Sequence, residues 1–223
     1  MQIDESMPNE HYFEELEIIR QHFSALREAY VPLTSEVLRD ALTFDDFYFL
    51  PTIDRSMRLI DGFILLMESR NLTCVGALLR MQIDTCMRSY ALFIAEDPDA
   101  LIQGYLNGEK VNKFKDDQGK KMTDHRLKER LSEFFPEISL VYDNASGYIH
   151  YSDKAFRSIA RPMEDYNFGM GIGTALPEDV NGLLIEAAGA FARFVTIHQK
   201  IIKDYSCAKS QRFKGEAEIE NAE

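Results

Sequence analysis

Tyr12, Leu16, Ile19, Phe23, Leu26 and Tyr30 recur at alternating steps of four and three. That spacing lines one seam of a helix, and Pro32 is expected to end it. A shorter piece follows over residues 36–50. Pro51 then fits the first position of a helix running to about residue 70, with Ile53, Met57, Ile60, Ile64 and Met67 on one side. Asn71 or Thr73 caps the next helix, which continues to Ala95 and stops before Asp97 and Pro98. Residues 99–115 read as another helix, and "DDQGKK" after it as an exposed loop.

Residues 123–135 are predicted helical, Pro136 restarts the chain, and residues 137–150 form the next helix. Ser152 can cap a short successor over residues 153–161. A loop of unusual composition, "EDYNFGMGIGTALPED", leads to Pro177, which opens the longest helix, reaching about residue 207. Leu184, Ala188, Phe191, Phe194, Val195, Ile201, Ile202 and Tyr205 keep one face of it apolar. No alternating strand pattern, internal repeat or domain linker interrupts this order. The predicted fold is an all-α, single-domain helical bundle over residues 1–206, with a charged, disordered tail at 207–223.

The helix over residues 72–95 carries the least usual pattern. Val75, Leu79, Ile83, Cys86, Tyr90, Phe93 and Ile94 fill one broad arc, and Leu78, Met81 and Leu92 widen it. The strip left over holds Arg80, Asp84 and Arg88 at four-residue steps, flanked by Ala77 and Ala91. Such a helix belongs near the bundle centre. Its charges then need partners, so Arg80–Asp84 and Asp84–Arg88 contacts are expected whatever the function. Two readings stay open: a self-satisfied ion-pair ladder, or the lining of a cleft in which the alanines leave room.

Composition narrows the setting. The 223 residues carry a net charge of −12, which opposes general attachment to nucleic acid or anionic membrane. The nearest approach to a basic groove is residues 110–130, for which a solvated loop and a charged helix face are the simpler account. Cys74, Cys86 and Cys207 make no disulfide framework. The first residues lack a basic, apolar leader, and no run approaches the twenty apolar residues that span a bilayer. A soluble cytoplasmic protein with no membrane association is expected.

A second polar pattern is "VYDNASGYIHYS", where Tyr142, Ser146 and His150 share one helical stripe. With "GALLRMQIDTCMRSYALFIAEDP", it resembles a family of uncharacterised bacterial all-helical proteins. That family pairs an arginine with an acid four residues on, then presents a Tyr-x-x-x-Ser-x-x-x-His helix. Here these are Arg80, Asp84, Tyr142, Ser146 and His150, and Asp84 stands where glutamate is usual. The likeness covers roughly residues 55–155. It extends distantly to HEPN helical bundles, several of which are ribonucleases in toxin–antitoxin and phage-defence systems.

The resemblance implies a role in defence or stress response with RNA as partner. Arg80, Asp84 and His150 would then be catalytic, and Arg88, Tyr142 and Ser146 would bind substrate. The alternative is a non-catalytic interaction or regulatory protein with a protein partner. In that case His150 answers the helix dipole, Ser146 bonds back to a carbonyl and Tyr142 is core. The expected assembly is a homodimer, with no cofactor and no metal.

Two further patterns weigh less. "RFVTIH", Arg193 to His198, fits the arginine–histidine spacing of many HEPN ribonucleases. Fourteen arginines and five histidines make about one such match expected by chance. At the Tyr142 stripe, Asp143 and Asn144 stand where that motif wants arginine. "GMGIG", Gly169 to Gly173, precedes a helix but lacks a leading strand and a following Lys-Ser/Thr, so it reads as a loop.

Overall fold

The computed structural model describes residues 9–149, 160–162, 168–170 and 180–220. Within them the chain is an all-α bundle. Helices α1 (Asn9–Glu28), α2 (Tyr30–Val37), α3 (Asp46–Glu68) and α4 (Leu72–Ile94) are followed by α5 (Pro98–Leu106), α6 (Asp124–Ser132), α7 (Glu137–Ile149) and α8 (Val180–Glu220). A single 3₁₀ turn, Val111–Lys113, lies between α5 and α6.

The seam of α1 is buried through Tyr12, Leu16 and Phe23, as its spacing requires. Phe23, Phe63 and Phe191 form an aromatic triangle between α1, α3 and α8, with Phe63 and Phe191 centroids 4.1 Å apart. Pro32 acts differently from expectation. It lacks the N–H that would bond the Glu28 carbonyl, so the helix breaks at Ala29 and resumes with Pro32 in the first turn of α2. Pro51 likewise does not open α3. That helix begins at Asp46, and Pro51 lies in its second turn.

Helix α4 is the centre, packed by α3, α7 and α8. Asn71 caps it, accepting from the Cys74 N–H at 3.1 Å. Asp97 and Pro98 stop it and open α5, with the Asp97 carboxylate accepting from the Ala100 N–H. Helix α5 ends at Leu106, short of the predicted residue 115, because Gly108 takes φ +79° and turns the chain.

The segment after α5 is a strap tied to the bundle, not a free loop. Asp116 is fully buried and bridges to Ala95, while Lys115 bridges to Lys121. The Asp116 carboxylate accepts from the N–H groups of Gln118 and Lys120 and from Nε of Arg126 at 2.7 Å. Arg130 closes the knot on Asp117 at 2.6 Å. Burial pushes the Asp116 carboxyl up, but the Lys120 N–H and the Arg126 guanidinium outweigh it and hold the group below the usual carboxylate range.

Three expectations are corrected elsewhere. Ala160–Pro162 pairs antiparallel with Phe168–Met170 (β1 and β2), with Arg161 opposite Gly169. A helix reaching Arg161 is therefore ruled out at its end, since the residue before Pro162 favours extended backbone. The rest of that predicted helix, residues 153–159 with its cap Ser152, lies outside the described residues, as do Gly171, Gly173 and Pro177. Helix α8 also runs past residue 207 to Glu220, and Lys209 inside the expected tail is buried against Asp46 at 2.7 Å. Finally, an 18-residue stretch within Val180–Gly215 reaches a mean hydropathy of 1.4, long and apolar enough by composition to cross a membrane. Here α8 packs against α1, α2, α3 and α4, which accounts for its apolarity.

Candidate functional site

Of the three charged positions of α4, Arg80 and Arg88 reach α6 and α7, while Asp84 meets Arg88 and Arg55 of α3. Arg88 spans two carboxylates, Asp84 at 3.2 Å on its own helix and Asp124 at the first turn of α6, to which it donates a hydrogen bond. Burial pulls the Arg88 guanidinium down, yet the two carboxylates outweigh it and hold the group firmly charged. Arg80 does not pair with Asp84. It donates to the Tyr142 hydroxyl at 2.6 Å, lies 3.9 Å above the centre of the same ring, and stands 3.7 Å from Asp124. Only 11 % of its side chain is exposed.

The rest of the cluster follows from helix ends. Thr123 caps α6 by accepting from the Arg126 N–H, which fixes Asp124 at the helix N-terminus where the dipole favours a carboxylate. One turn on, Lys128 approaches the Tyr142 ring at 5.0 Å and pairs with Asp143 at 2.9 Å. Arg55 of α3 reaches Asp84 at 3.9 Å, and its Nε donates to Thr85 at 3.1 Å. Four cations, Arg55, Arg80, Arg88 and Lys128, thus meet three carboxylates, Asp84, Asp124 and Asp143. In a chain of net charge −12 this is a locally positive place.

Arg88 and Asp124 also form one wall of an open cleft of about 550 Å³. Its other walls are Tyr105 at the end of α5 and the strap residues Gly108 to Asn112. Tyr48, edge-on to Tyr105 at 5.5 Å, donates its hydroxyl to the Arg88 carbonyl and so joins the cleft to α4. Tyr105 is 48 % exposed. The cleft therefore presents an aromatic face beside a guanidinium and a carboxylate.

Of the residues singled out in sequence, Arg80, Arg88 and Tyr142 meet around Asp124, and Asp84 joins through Arg88. Ser146 turns back, donating to the Tyr142 carbonyl at 2.7 Å. His150 lies outside the described residues. Sequence reasoning missed Asp124, Lys128 and Tyr105. Thr123 and Asp124 were legible as a helix start, yet nothing in their spacing pointed at α4.

The Arg193–His198 pair does not converge. Arg193 is on the surface with Glu137 at 2.8 Å, whereas His198 is fully buried. Its Nδ1 lies 2.7 Å from the Tyr30 hydroxyl, and its Nε2 lies 3.0 Å from Ser89 and 3.1 Å from Thr52. Tyr30 continues to Ser56, and Ser56 donates to Gln82. This network crosses α2, α3, α4 and α8 within the core. Compared with known proteins, the chain matches no family model, no curated protein and no solved structure.

Proposed function

We propose that the protein is a HEPN-like helical bundle that acts on RNA at the cleft between α4, α5 and α6. The observation that carries this reading is Arg88, held charged by Asp84 and Asp124 on the wall of a cleft that also offers the Tyr105 ring. A guanidinium so placed would stabilise charge developing on a phosphate, with Arg80 and Asp84 holding the surrounding geometry. His150, which lies outside the described residues, would carry the proton transfer that the motif resemblance implies. A cytoplasmic, dimeric protein of bacterial defence or stress response is the matching cellular role.

A second reading has its own support. Arg80 is already stacked, hydrogen-bonded and nearly buried, so its charge is committed to the protein. On this reading the cluster is a structural clamp in a non-catalytic interaction protein.

Purified protein incubated with a mixed pool of cellular RNA decides between them, beside His150→Ala, Arg88→Ala and Arg80→Ala variants checked by thermal melting. Cleavage lost in His150→Ala and Arg88→Ala proteins that melt like the wild type is the expected result. No cleavage by wild type, with Arg80→Ala strongly destabilised, would leave the clamp reading standing.

A further inference from the structure

The strap between α5 and α6 carries five lysines, Lys110, Lys113, Lys115, Lys120 and Lys121, and three acids, Glu109, Asp116 and Asp117. Each acid is engaged. Glu109 accepts from Lys113 at 3.0 Å, Asp116 is buried under Arg126, and Asp117 holds Arg130. Lys110, Lys115, Lys120 and Lys121 are left exposed, with no ion pair among the described residues. The strap that bears them is fixed by the Asp116 knot and by the Ala95 and Lys121 bridges. Lys110 itself lines the cleft that holds Arg88 and Tyr105.

We infer that the strap is a docking surface for the phosphodiester backbone of single-stranded RNA, with Tyr105 as the platform on which one base stacks. The inference rests on the RNA reading of the cleft and adds the surface that would bring the strand to it. Charge complementarity identifies the occupant: four exposed ammonium groups, with no ion pair among the described residues, on a prearranged segment, in a chain whose overall charge repels polyanions. The neighbouring aromatic ring selects among polyanions. An unpaired base offers a face to Tyr105, while a duplex keeps its bases stacked and an acidic peptide has none to offer. The Arg126 and Arg130 guanidiniums are spent on tying the strap, which leaves the lysines to make the contact.

Fluorescence anisotropy of a labelled twelve-nucleotide single-stranded RNA of mixed sequence tests this. Four phosphate contacts give a logarithmic salt slope of about −3, so wild-type affinity falls roughly fiftyfold between 50 and 200 mM salt. Replacing Lys110, Lys115, Lys120 and Lys121 together with glutamine should flatten that slope and weaken binding at low salt by at least about tenfold. Tyr105→Ala should weaken binding about tenfold with the slope unchanged. Removing two charges on α8 instead, Lys200→Gln with Lys214→Gln, should leave affinity within about twofold, since the effect is local. Thermal melting of each variant confirms that it is folded.

RNA bound equally well by wild type and the four-lysine variant would overturn the strap and leave the cleft reading intact. No binding by wild type would overturn both. Polyglutamate competing as well as RNA, or vesicles with phosphatidylserine binding through the same lysines with no effect of Tyr105→Ala, would assign the surface to another partner and also overturn the inference.

Discussion

His198 makes three close contacts without a counterion, and burial pushes its imidazole down to about 3. An unfolded chain exposes the same ring with an ordinary value near 6.5. Between those limits the unfolded state binds a proton that the folded state refuses. Stability is therefore full above pH 6.5 and falls as the pH drops through the window, by up to about 1.4 kcal/mol per pH unit. Buried carboxylates whose folded values are held low, such as Asp116, add their own losses only at more acid pH. Thermal melts from pH 7 to 5 should show a steady fall in Tm, and a His198→Gln protein should show a flatter one from a lower start. Equal slopes for both proteins would place the proton uptake elsewhere. Asp46 obeys the opposite balance. Burial raises its carboxyl, but the Lys209 ammonium, the Thr43 N–H and the Tyr205 hydroxyl outweigh that and hold it ionised.

At the scale of elements, one polar link of the α4–α7 contact is Arg80, bonded to Tyr142 and stacked on it at once. A double-mutant cycle with Arg80→Ala and Tyr142→Leu, followed by urea unfolding, should give a coupling of about 1–2 kcal/mol. Additive losses would mean the two side chains stabilise the bundle independently. The cycle also bears on what the sequence disclosed. Period and caps made α1, α4, α6 and α7 legible, because Asn71, Thr123 and the Asp97–Pro98 step signal locally. The central place of α4 was legible too, since its apolar arc leaves only one charged strip. The partner of that strip was not. Asp124 meets Arg88 across 36 positions, and Tyr142 meets Arg80 across 62. No periodicity encodes which helix faces which. The same limit hid Asp116, an acid in a polar loop by every local measure, until Arg126 and Arg130 folded over it.

Across the whole molecule, the last part of α8 is a fastener where sequence composition suggested a loose end. Lys209 donates to the Val37 carbonyl at 2.6 Å and to the Asp46 carboxylate at 2.7 Å, both inside the bundle. Removing residues 208–223 leaves Asp46 a buried, unpaired charge, so a loss of about 3–5 kcal/mol is expected in urea unfolding. Lys209→Met should behave alike, and adding Asp46→Asn to it should recover part of the loss. A truncated protein as stable as the full chain would count against this role for Lys209. The same helix closes the bundle against its beginning. Tyr30 meets His198, the Leu26 carbonyl accepts from Gln199, and Phe23 stacks on Phe191. A ribosome adds roughly 5–20 residues per second, so Tyr30 waits on the order of ten to thirty seconds after its own synthesis before its partner exists. Through that interval the side of the α1 seam that meets Phe191, and the Tyr30 and Ser89 hydroxyls that meet His198, lack their α8 partners. The bundle is thus completed by its last long helix, and the surface a nascent chain leaves uncovered until then is the one most prone to sticking.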